Sequence, residues 1–311
     1  MKKILGLFLL LTGFSILLSA QSKTKLSAET LQKLDQKEDT LALLAYAIVN
    51  DSLPENRFGT CRVFIPKLVE ALKTENSFQY PFDRVKAVSI QYAPDSTFRI
   101  FTWQLYVDTS DYRYYGAIQM NTPELKLFPL VDRAYNLKGD LEQAVLTPEE
   151  WYGALYYNIR EVKSSKGKYY LLFGYDGFSF FHKRKLIDVL TFQPDGKPQF
   201  GAPVFVHEKK GQPTTTKNRV MLQFSSESSV KLSYEETMEM IVFDHLISMG
   251  GAYGQGESNF PDGSYEAYEL KGGLWKHKEM LPVTPMDQAP RPSPVLDTRK
   301  KDILGKEDVK Q

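Results

Sequence analysis

The residues whose positions best suit acid–base chemistry are four aspartates, each at or near the end of a predicted β-strand. They are Asp176, Asp188, Asp244 and Asp262. Two carboxyl groups can act as general acid and as base or nucleophile when a fold brings them to within roughly 5 to 10 Å of each other. If at least two of the four meet in a deep pocket, the chain is predicted to be a hydrolase with a nonstandard carboxylate site.

A second set of candidates consists of aromatic rings, because Phe, Tyr and Trp make up 13% of the chain. The candidates for ligand binding lie in neighbouring predicted strands and are Tyr115, Trp151, Tyr152 and Tyr175. Alternate residues of a strand point to opposite faces, so the rings either fill cores or present one face to a ligand such as a sugar. Packing within the sheet is the competing interpretation, because strands favour aromatic residues.

The common catalytic and cofactor motifs are missing from the sequence. It has no Gly-x-Ser-x-Gly, His-Glu-x-x-His, phosphate-binding loop, paired cysteine or EF-hand pattern. Asp244 and His245 are adjacent, but neighbouring side chains in a strand point to opposite faces and cannot readily hydrogen-bond to each other. The Gly-rich segment 250–256 is not followed by a helix, which favours a loop over a dinucleotide site. We therefore predict neither a cofactor nor a metal.

The elements that would position these residues are predicted β-strands. Hydrophobic residues alternate with polar ones over residues 85–279, and short turns between the strands favour antiparallel hairpins. The predicted strands are 85–92, 98–107, 112–120, 125–130, 151–162, 168–175, 185–192, 199–207, 219–224, 229–234, 239–244, 264–270 and 275–279. We predict a mainly β (α+β) fold with a meander of about 12–13 strands, as an open twisted sheet, a sandwich or a barrel.

An aromatic–Gly–Ala step occurs at 115–117, 152–154 and, with Phe, at 200–202. A glycine at such a place in a strand predicts a bulge or a close approach of backbone, where a large ring covers the glycine. Because the intervals between the three steps are unequal, propeller blades are the less favoured architecture.

The segment before the strands has helical periodicity from about residue 27 to residue 75. Ser27 is the predicted N-cap of the first helix. Pro66 should either open or kink the last helix, so its regular part is expected to begin near Ile65. Cys61 lies among large apolar residues and is predicted to be a buried structural thiol.

The first twenty residues have the layout of a cleavable secretory signal peptide, with Lys2 and Lys3 before an apolar run and Ala20 at the expected cut. No cysteine follows that could carry a lipid, which argues against a lipoprotein. We predict four regions: a signal peptide at 1–20, a helical segment at 21–80, an antiparallel β domain at 81–281 and a disordered, Pro-rich and charged tail at 282–311. The mature protein is expected in the periplasm or outside the cell, without a membrane span.

The charge balance favours some partners over others. The chain has 39 basic and 38 acidic residues, and the two signs are interspersed, so a nucleic-acid partner is not expected. The leading hypothesis is an exported, β-rich binding or envelope-associated module whose partner is a glycan or a cell-envelope protein. The carboxylate hydrolase is the alternative, and a structural subunit of an envelope complex is a third possibility.

Five segments of the chain resemble a family of secreted Bacteroidetes proteins of unknown function. The segments are Phe98-Arg-Ile-Phe-Thr-Trp103, Trp151-Tyr-Gly-Ala-Leu-Tyr-Tyr157, Ile187-Asp-Val-Leu-Thr-Phe192 with Phe200-Gly201, Ile241-Val-Phe-Asp-His-Leu246 and Pro261-Asp-Gly-Ser-Tyr265. The resemblance covers about residues 38–279 and implies a periplasmic or cell-surface setting in a Gram-negative bacterium. It implies no catalytic residues.

Overall fold

The computed structural model describes residues 26–164, 167–208, 213–251, 254 and 256–281. The predicted signal peptide and the predicted disordered tail therefore lie outside the described residues. Within them, two N-terminal helices precede a series of antiparallel sheets, which confirms the predicted mainly β fold class. The described strands form no closed barrel. None of the described helices has the length and apolarity that a membrane span requires.

The two helices are α1 (Ala28–Asn50) and α2 (Pro54–Leu72). Ser27 caps α1 as predicted, because its Oγ accepts a hydrogen bond from the N–H of Thr30 at 3.1 Å. The expected start of α2 near Ile65 is wrong. The helix begins at Pro54, whose fixed φ suits the first helical turn, and it continues through Pro66.

The first sheet contains β1 (Ser89–Tyr92), β2 (Phe98–Asp108), β3 (Asp111–Met120) and β4 (Leu127–Val131), paired in that order. One face of β2 packs against the helices through Phe101, Trp103 and Leu105. Cys61 of α2 belongs to the same core and is buried as predicted. The opposite face, including Phe98 and Ile100, packs against the second sheet.

The second sheet is packed on both faces. Its strands are β5 (Leu155–Ser164), β6 (Gly167–Asp176), β7 (His182–Phe192) and β11 (Arg219–Ser225), with β8 (Pro198–Phe200) paired to β7. The four long strands have the order β11-β7-β6-β5. Tyr170 and Leu172 of β6 face the first sheet, whereas Leu171 and Phe173 face the third. The alternation of a strand thus places neighbouring residues in two different cores.

The third sheet contains β9 (Phe205–His207), β10 (Thr215–Lys217), β12 (Leu232–Glu235), β13 (Met240–Gly250), β14 (Glu257–Lys271) and β15 (Leu274–Lys278). Their order in the sheet is β10-β9-β15-β14-β13-β12. All described pairs are antiparallel except β9 with β15. The layers therefore follow each other as helices, first sheet, second sheet and third sheet.

Several strand predictions are wrong in their extent. The strand predicted at 199–207 is divided into β8 and β9, because Gly201 between them has a φ of +100°. The strands predicted at 239–244 and 264–270 belong to the longer β13 and β14. Pro261 and Gly263 are turn residues by local preference, but they lie in β14, beside a shift of register between Asp244 and Leu246.

Candidate functional site

A half-open cavity of about 190 Å³ lies where the end of the second sheet meets the first sheet. The start of β3, the segment after β4, the approach to β5 and the turn from β6 to β7 all contribute to its wall. Its lining residues are Asp111, Tyr112, Arg113, Tyr114, Asp132, Ala134, Tyr135, Leu141, Tyr152, Gly153, Asp176, Phe178 and Arg184. The cavity combines three carboxyl groups, two guanidinium groups and several aromatic rings at one opening. This composition resembles that of a small-molecule site.

Asp176 is the last residue of β6 and is buried. Its Oδ2 accepts a hydrogen bond from the hydroxyl of Tyr152 at 2.6 Å, and its Oδ1 accepts one from the N–H of Phe178 at 2.8 Å. Arg184, the cross-strand neighbour of Asp176, donates from Nη1 to the same Tyr152 hydroxyl at 2.9 Å. Burial and the charge of Asp176 raise the pKa of Tyr152, which keeps the hydroxyl protonated and donating.

Asp132 is the second carboxylate of the cavity and follows β4 directly. Its Oδ2 accepts from the N–H of Tyr114 and its Oδ1 from the N–H of Ala134, both at 3.0 Å. Burial raises the pKa of Asp132 above its ordinary value, and the nearby charge of Asp176 acts in the same direction. Asp132 therefore accepts a proton more readily than an ordinary aspartate.

Gly153 allows Asp132 to occupy this position. Its φ is +85°, and a Cβ atom on Gly153 would lie 2.7 Å from Cγ of Asp132. Gly116 and Gly201, the glycines of the other two aromatic–Gly–Ala steps, would place a Cβ 2.8 Å and 2.5 Å from a backbone oxygen. The predicted close approach of backbone is confirmed at Gly116 and Gly201, whereas at Gly153 the near atoms belong to the side chain of Asp132.

The guanidinium groups are held by neighbouring side chains. Arg184 donates from Nε and Nη2 to Oε1 of Gln223 at 3.0 and 2.8 Å, and its Cζ lies 3.4 Å from the ring centroid of Phe178. Arg113 pairs with Asp111 on the same strand. Each guanidinium has five N–H donors, so both retain donors for a ligand.

The other three predicted aspartates do not line this cavity. Asp188 lies within β7, is fully buried and pairs with Arg219 at 2.9 Å. It is paired with Leu172 of β6. Leu172 is four residues from Asp176 on that strand, which places Asp188 about 13 Å along the strand from Asp176 at the usual rise per residue. Asp244 accepts from the N–H of Lys231 at 2.6 Å. Asp262 accepts from the N–H of Ser264 at 2.9 Å in the third sheet.

Of the four predicted aromatic residues, Tyr152 alone lines the cavity, and it contributes a hydroxyl there. Trp151 has 0% of its surface exposed, so its ring offers no face to a ligand. Tyr115 stacks on Trp103 at a centroid distance of 5.7 Å, in the core beneath the helices. Tyr175 is half-buried and is not among the lining residues.

Asp132, Tyr135, Phe178 and both guanidinium groups were not among the sequence candidates. Asp132 carries no motif, but Gly153, which packs against it, lies in an aromatic–Gly–Ala step that the sequence displays. That step was the available signal. The exposed rings of the lining are Tyr135 and Phe178, at 61% and 36% exposure, and both lie outside regular strands.

A second polar cluster lies in the third sheet, where Glu266 bonds to His245 and His277 through its two carboxylate oxygens. His245 and Asp244 do face different partners, as expected for neighbours in a strand. In the part of the chain that the structure describes, no three His, Cys, Asp or Glu side chains are arranged to hold a metal ion.

Comparison with protein-family models finds no match, and comparison with curated proteins finds no relative.

Proposed function

We propose that the protein is a glycan-binding module and that the cavity around Asp132 and Asp176 takes one sugar unit. The observation that carries this proposal is the meeting of three carboxyl groups and two guanidinium groups at one opening with exposed rings. Carboxylates accept hydrogen bonds from sugar hydroxyls, guanidinium groups donate to their oxygens, and aromatic rings pack against the C–H faces.

The hydrogen bonds around the carboxylates favour binding. Each oxygen of Asp132 and Asp176 already accepts one hydrogen bond from the protein, which fixes its direction. A carboxylate has about four acceptor positions, so further ones remain for ligand hydroxyls. The side chains of the site are therefore ordered before the ligand binds, so binding loses less conformational entropy.

The proposed partner agrees with the proposed location. The leader at 1–20 has the layout of a secretory signal peptide, and export would bring the protein to the glycans of the cell envelope. A cell-envelope protein is the alternative partner, and it would use a larger surface than this cavity offers.

Saturation-transfer NMR with glucose, galactose, N-acetylglucosamine and glucuronate, together with their short oligomers, tests the proposal. Wild-type protein should saturate at least one sugar, and Asp176→Asn should weaken or abolish that signal. Asp195→Asn is the matched control, because Asp195 also accepts from the N–H two residues later but lies in an exposed turn. No signal from any sugar, or equal signals from both variants, would contradict the proposal.

Glycoside hydrolysis is the second candidate function, and the raised pKa of Asp132 supports it. A protonated Asp132 beside Asp176 could serve as the acid of a two-carboxylate mechanism. In that case a bound oligosaccharide is cleaved over time by wild-type protein, and Asp132→Asn binds it but leaves it intact. Stable oligosaccharide in the presence of the wild-type protein would exclude hydrolysis of that substrate.

A further inference from the structure

The turn between β6 and β7 exposes three phenylalanine side chains beside the cavity. We call residues 177–181 the Phe loop. Phe178, Phe180 and Phe181 are 36%, 55% and 37% exposed, and the rings of Phe180 and Phe181 meet edge to face at 5.0 Å. Exposed large apolar residues that cluster in this way mark interaction sites more often than exposed residues that stand alone.

The Phe loop is held in place by polar groups beneath it. Nζ of Lys183 donates to the carbonyl oxygens of Gly177 and Ser179 at 3.0 and 2.6 Å. The N–H of Gly177 donates to the hydroxyl of Tyr114 at 2.6 Å.

The far side of the loop is held as well. The N–H of Ser179 donates to the carbonyl oxygen of His182 at 3.0 Å, and the N–H of Ser226 donates to that of Phe181 at 2.8 Å. Hydrogen bonds thus fix a backbone whose apolar side chains face solvent. If these phenylalanines served core packing, their side chains would be buried instead.

Phe178 has an unfavourable backbone conformation, with a φ of +46°. For a bulky residue this left-handed conformation is rare and strained, and it persists only where the surroundings impose it. Here the N–H bond to Asp176 and the stacked guanidinium of Arg184 impose it. Asn or Gly would fit this backbone better, so stability alone does not explain a phenylalanine here.

We infer that the protein binds an oligosaccharide, with one unit in the cavity and the neighbouring units stacked on the Phe loop. This inference rests on the proposed function and adds the length of the ligand to it. Phe178 connects the two surfaces, because it lines the cavity and belongs to the loop. A volume of about 190 Å³ suits a single ring-sized group, so further units must lie outside it, where the exposed rings are. Rigid aromatic side chains bind with little loss of conformational entropy.

Isothermal titration calorimetry with the monomer to the tetramer of the malto-, cello- and chito-oligosaccharide series tests the inference. Affinity should rise with length, by about tenfold in total, the contribution typical of an aromatic anchor. The double variant Phe180→Ser/Phe181→Ser should remove this gain and leave the affinity for the monomer unchanged. Tyr46→Ala is the matched control, because Tyr46 is 64% exposed on α1 and does not line the cavity.

Phe178→Asn provides an independent second variant. Since Asn tolerates a positive φ, this variant should keep the unfolding midpoint of the wild type or raise it, while it weakens binding of every length. A variant that loses stability and binds normally would show that the ring serves the fold, and would overturn the inference.

The outcomes separate the two proposals. Equal affinity for monomer and tetramer, or full affinity of the double variant for the tetramer, overturns the inference, while the proposed function stands if Asp176→Asn still weakens binding. Absence of binding by all three series, together with absence of a saturation-transfer signal from every sugar tested, overturns both proposals.

Discussion

Replacing Asp188 by Asn should destabilise the fold, although Asp188 was a candidate for catalysis. Its carboxylate and the guanidinium of Arg219 have no exposed surface, and Oδ1 lies 2.9 Å from Nη2. The N–H groups of Nη2 do not point well at this oxygen, so the attraction is mainly between charges. Burial alone would lower the pKa of Arg219, but the charge of Asp188 raises it. Asn would leave that guanidinium buried without a counter-charge.

The expected loss follows from the burial of the pair. Removing one partner of a buried ion pair costs about 3–5 kcal/mol. A second contact is lost as well, because the hydroxyl of Tyr156 donates to Oδ2 of Asp188 at 3.1 Å while it accepts from Nε1 of Trp151 at 2.9 Å. If the Asn amide nitrogen takes the place of Oδ2, the hydroxyl has no acceptor there. For a chain of this size the loss corresponds to a melting temperature lower by roughly 6–10 °C.

Urea unfolding followed by tryptophan fluorescence measures this loss. All three tryptophans are buried, and Trp151 is in direct contact with the network through Tyr156. The midpoint should fall while the slope with denaturant stays the same, which indicates a change of stability without a change of unfolded surface. The control Asp195→Asn lies in an exposed turn and should change the free energy of unfolding by less than about 0.5 kcal/mol.

A double-mutant cycle tests the cause of the loss. Arg219→Met alone leaves Asp188 buried without its partner, and the double variant Asp188→Asn/Arg219→Met removes both charges. The double variant should be more stable than the sum of the single losses predicts, because each single variant leaves one buried charge. Additive losses, or a loss below about 1 kcal/mol for Asp188→Asn, would refute the assignment of a buried ion pair. An unchanged midpoint with abolished sugar binding would restore Asp188 as a functional residue.

Two further predictions concern a glycine and a histidine. Gly153→Ala should lose more stability than Gly139→Ala, by about 1–3 kcal/mol in urea unfolding, and should also weaken sugar binding. The two glycines have almost the same φ, +85° at Gly153 and +84° at Gly139, but a Cβ at Gly153 would meet Asp132 whereas one at Gly139 would meet nothing within 4 Å. Equal losses of stability would show that backbone strain alone accounts for the destabilisation. The hydrogen bond to Glu266 raises the pKa of His245, so its stabilising contribution should be fully present below about pH 6.5 and be lost as pH rises through the raised value. Melting temperatures between about pH 5 and 8 should show this decline in wild-type protein and a flatter profile in His245→Gln; identical profiles would contradict it.

Local patterns were sufficient to predict most of the strands and the helical character of the N-terminal segment, but they did not predict that α2 begins at Pro54. The side chains of β2 alternate between two buried faces, and the sequence pattern of the strand reflects this. Ser27 could be predicted as an N-cap because it has the short acceptor side chain that an N-cap requires. The long hairpin of β13 and β14 could not be predicted in this way. Pro261 and Gly263 are turn residues by local preference, but pairing with β13 accommodates them at an irregularity. Tertiary pairing overrides the local preference at this point.

The site was only partly accessible from the sequence. Asp176 could be proposed because it follows an alternating strand, where carboxylates are often free to act. Asp132 could not be proposed from the sequence. It is brought to the same cavity as Asp176 by the packing of the first sheet on the second, and no local sequence pattern encodes that packing. The conformation of Phe178 likewise depends on Asp176 and Arg184, whose contacts arise only when β6 and β7 pair.

The strand β7 contributes one residue to each of two Asp–Arg cross-strand pairs, Asp188 to the pair with Arg219 and Arg184 to the pair with Asp176. The different geometry of the two pairs explains why one is structural and the other is a candidate site. In the middle of the sheet, Asp188 lies directly against Arg219, and cores on both faces exclude water from the pair. At the end of the sheet, Asp176 and Arg184 are joined through the hydroxyl of Tyr152, and both groups face a cavity. A ligand can bind more readily to Asp176 and Arg184, which contact a neutral hydroxyl, than to Asp188 and Arg219, which neutralise each other. Binding to the first pair does not require that a direct ion pair be broken. Position along the strand, more than residue type, therefore decides which aspartate is available for a ligand.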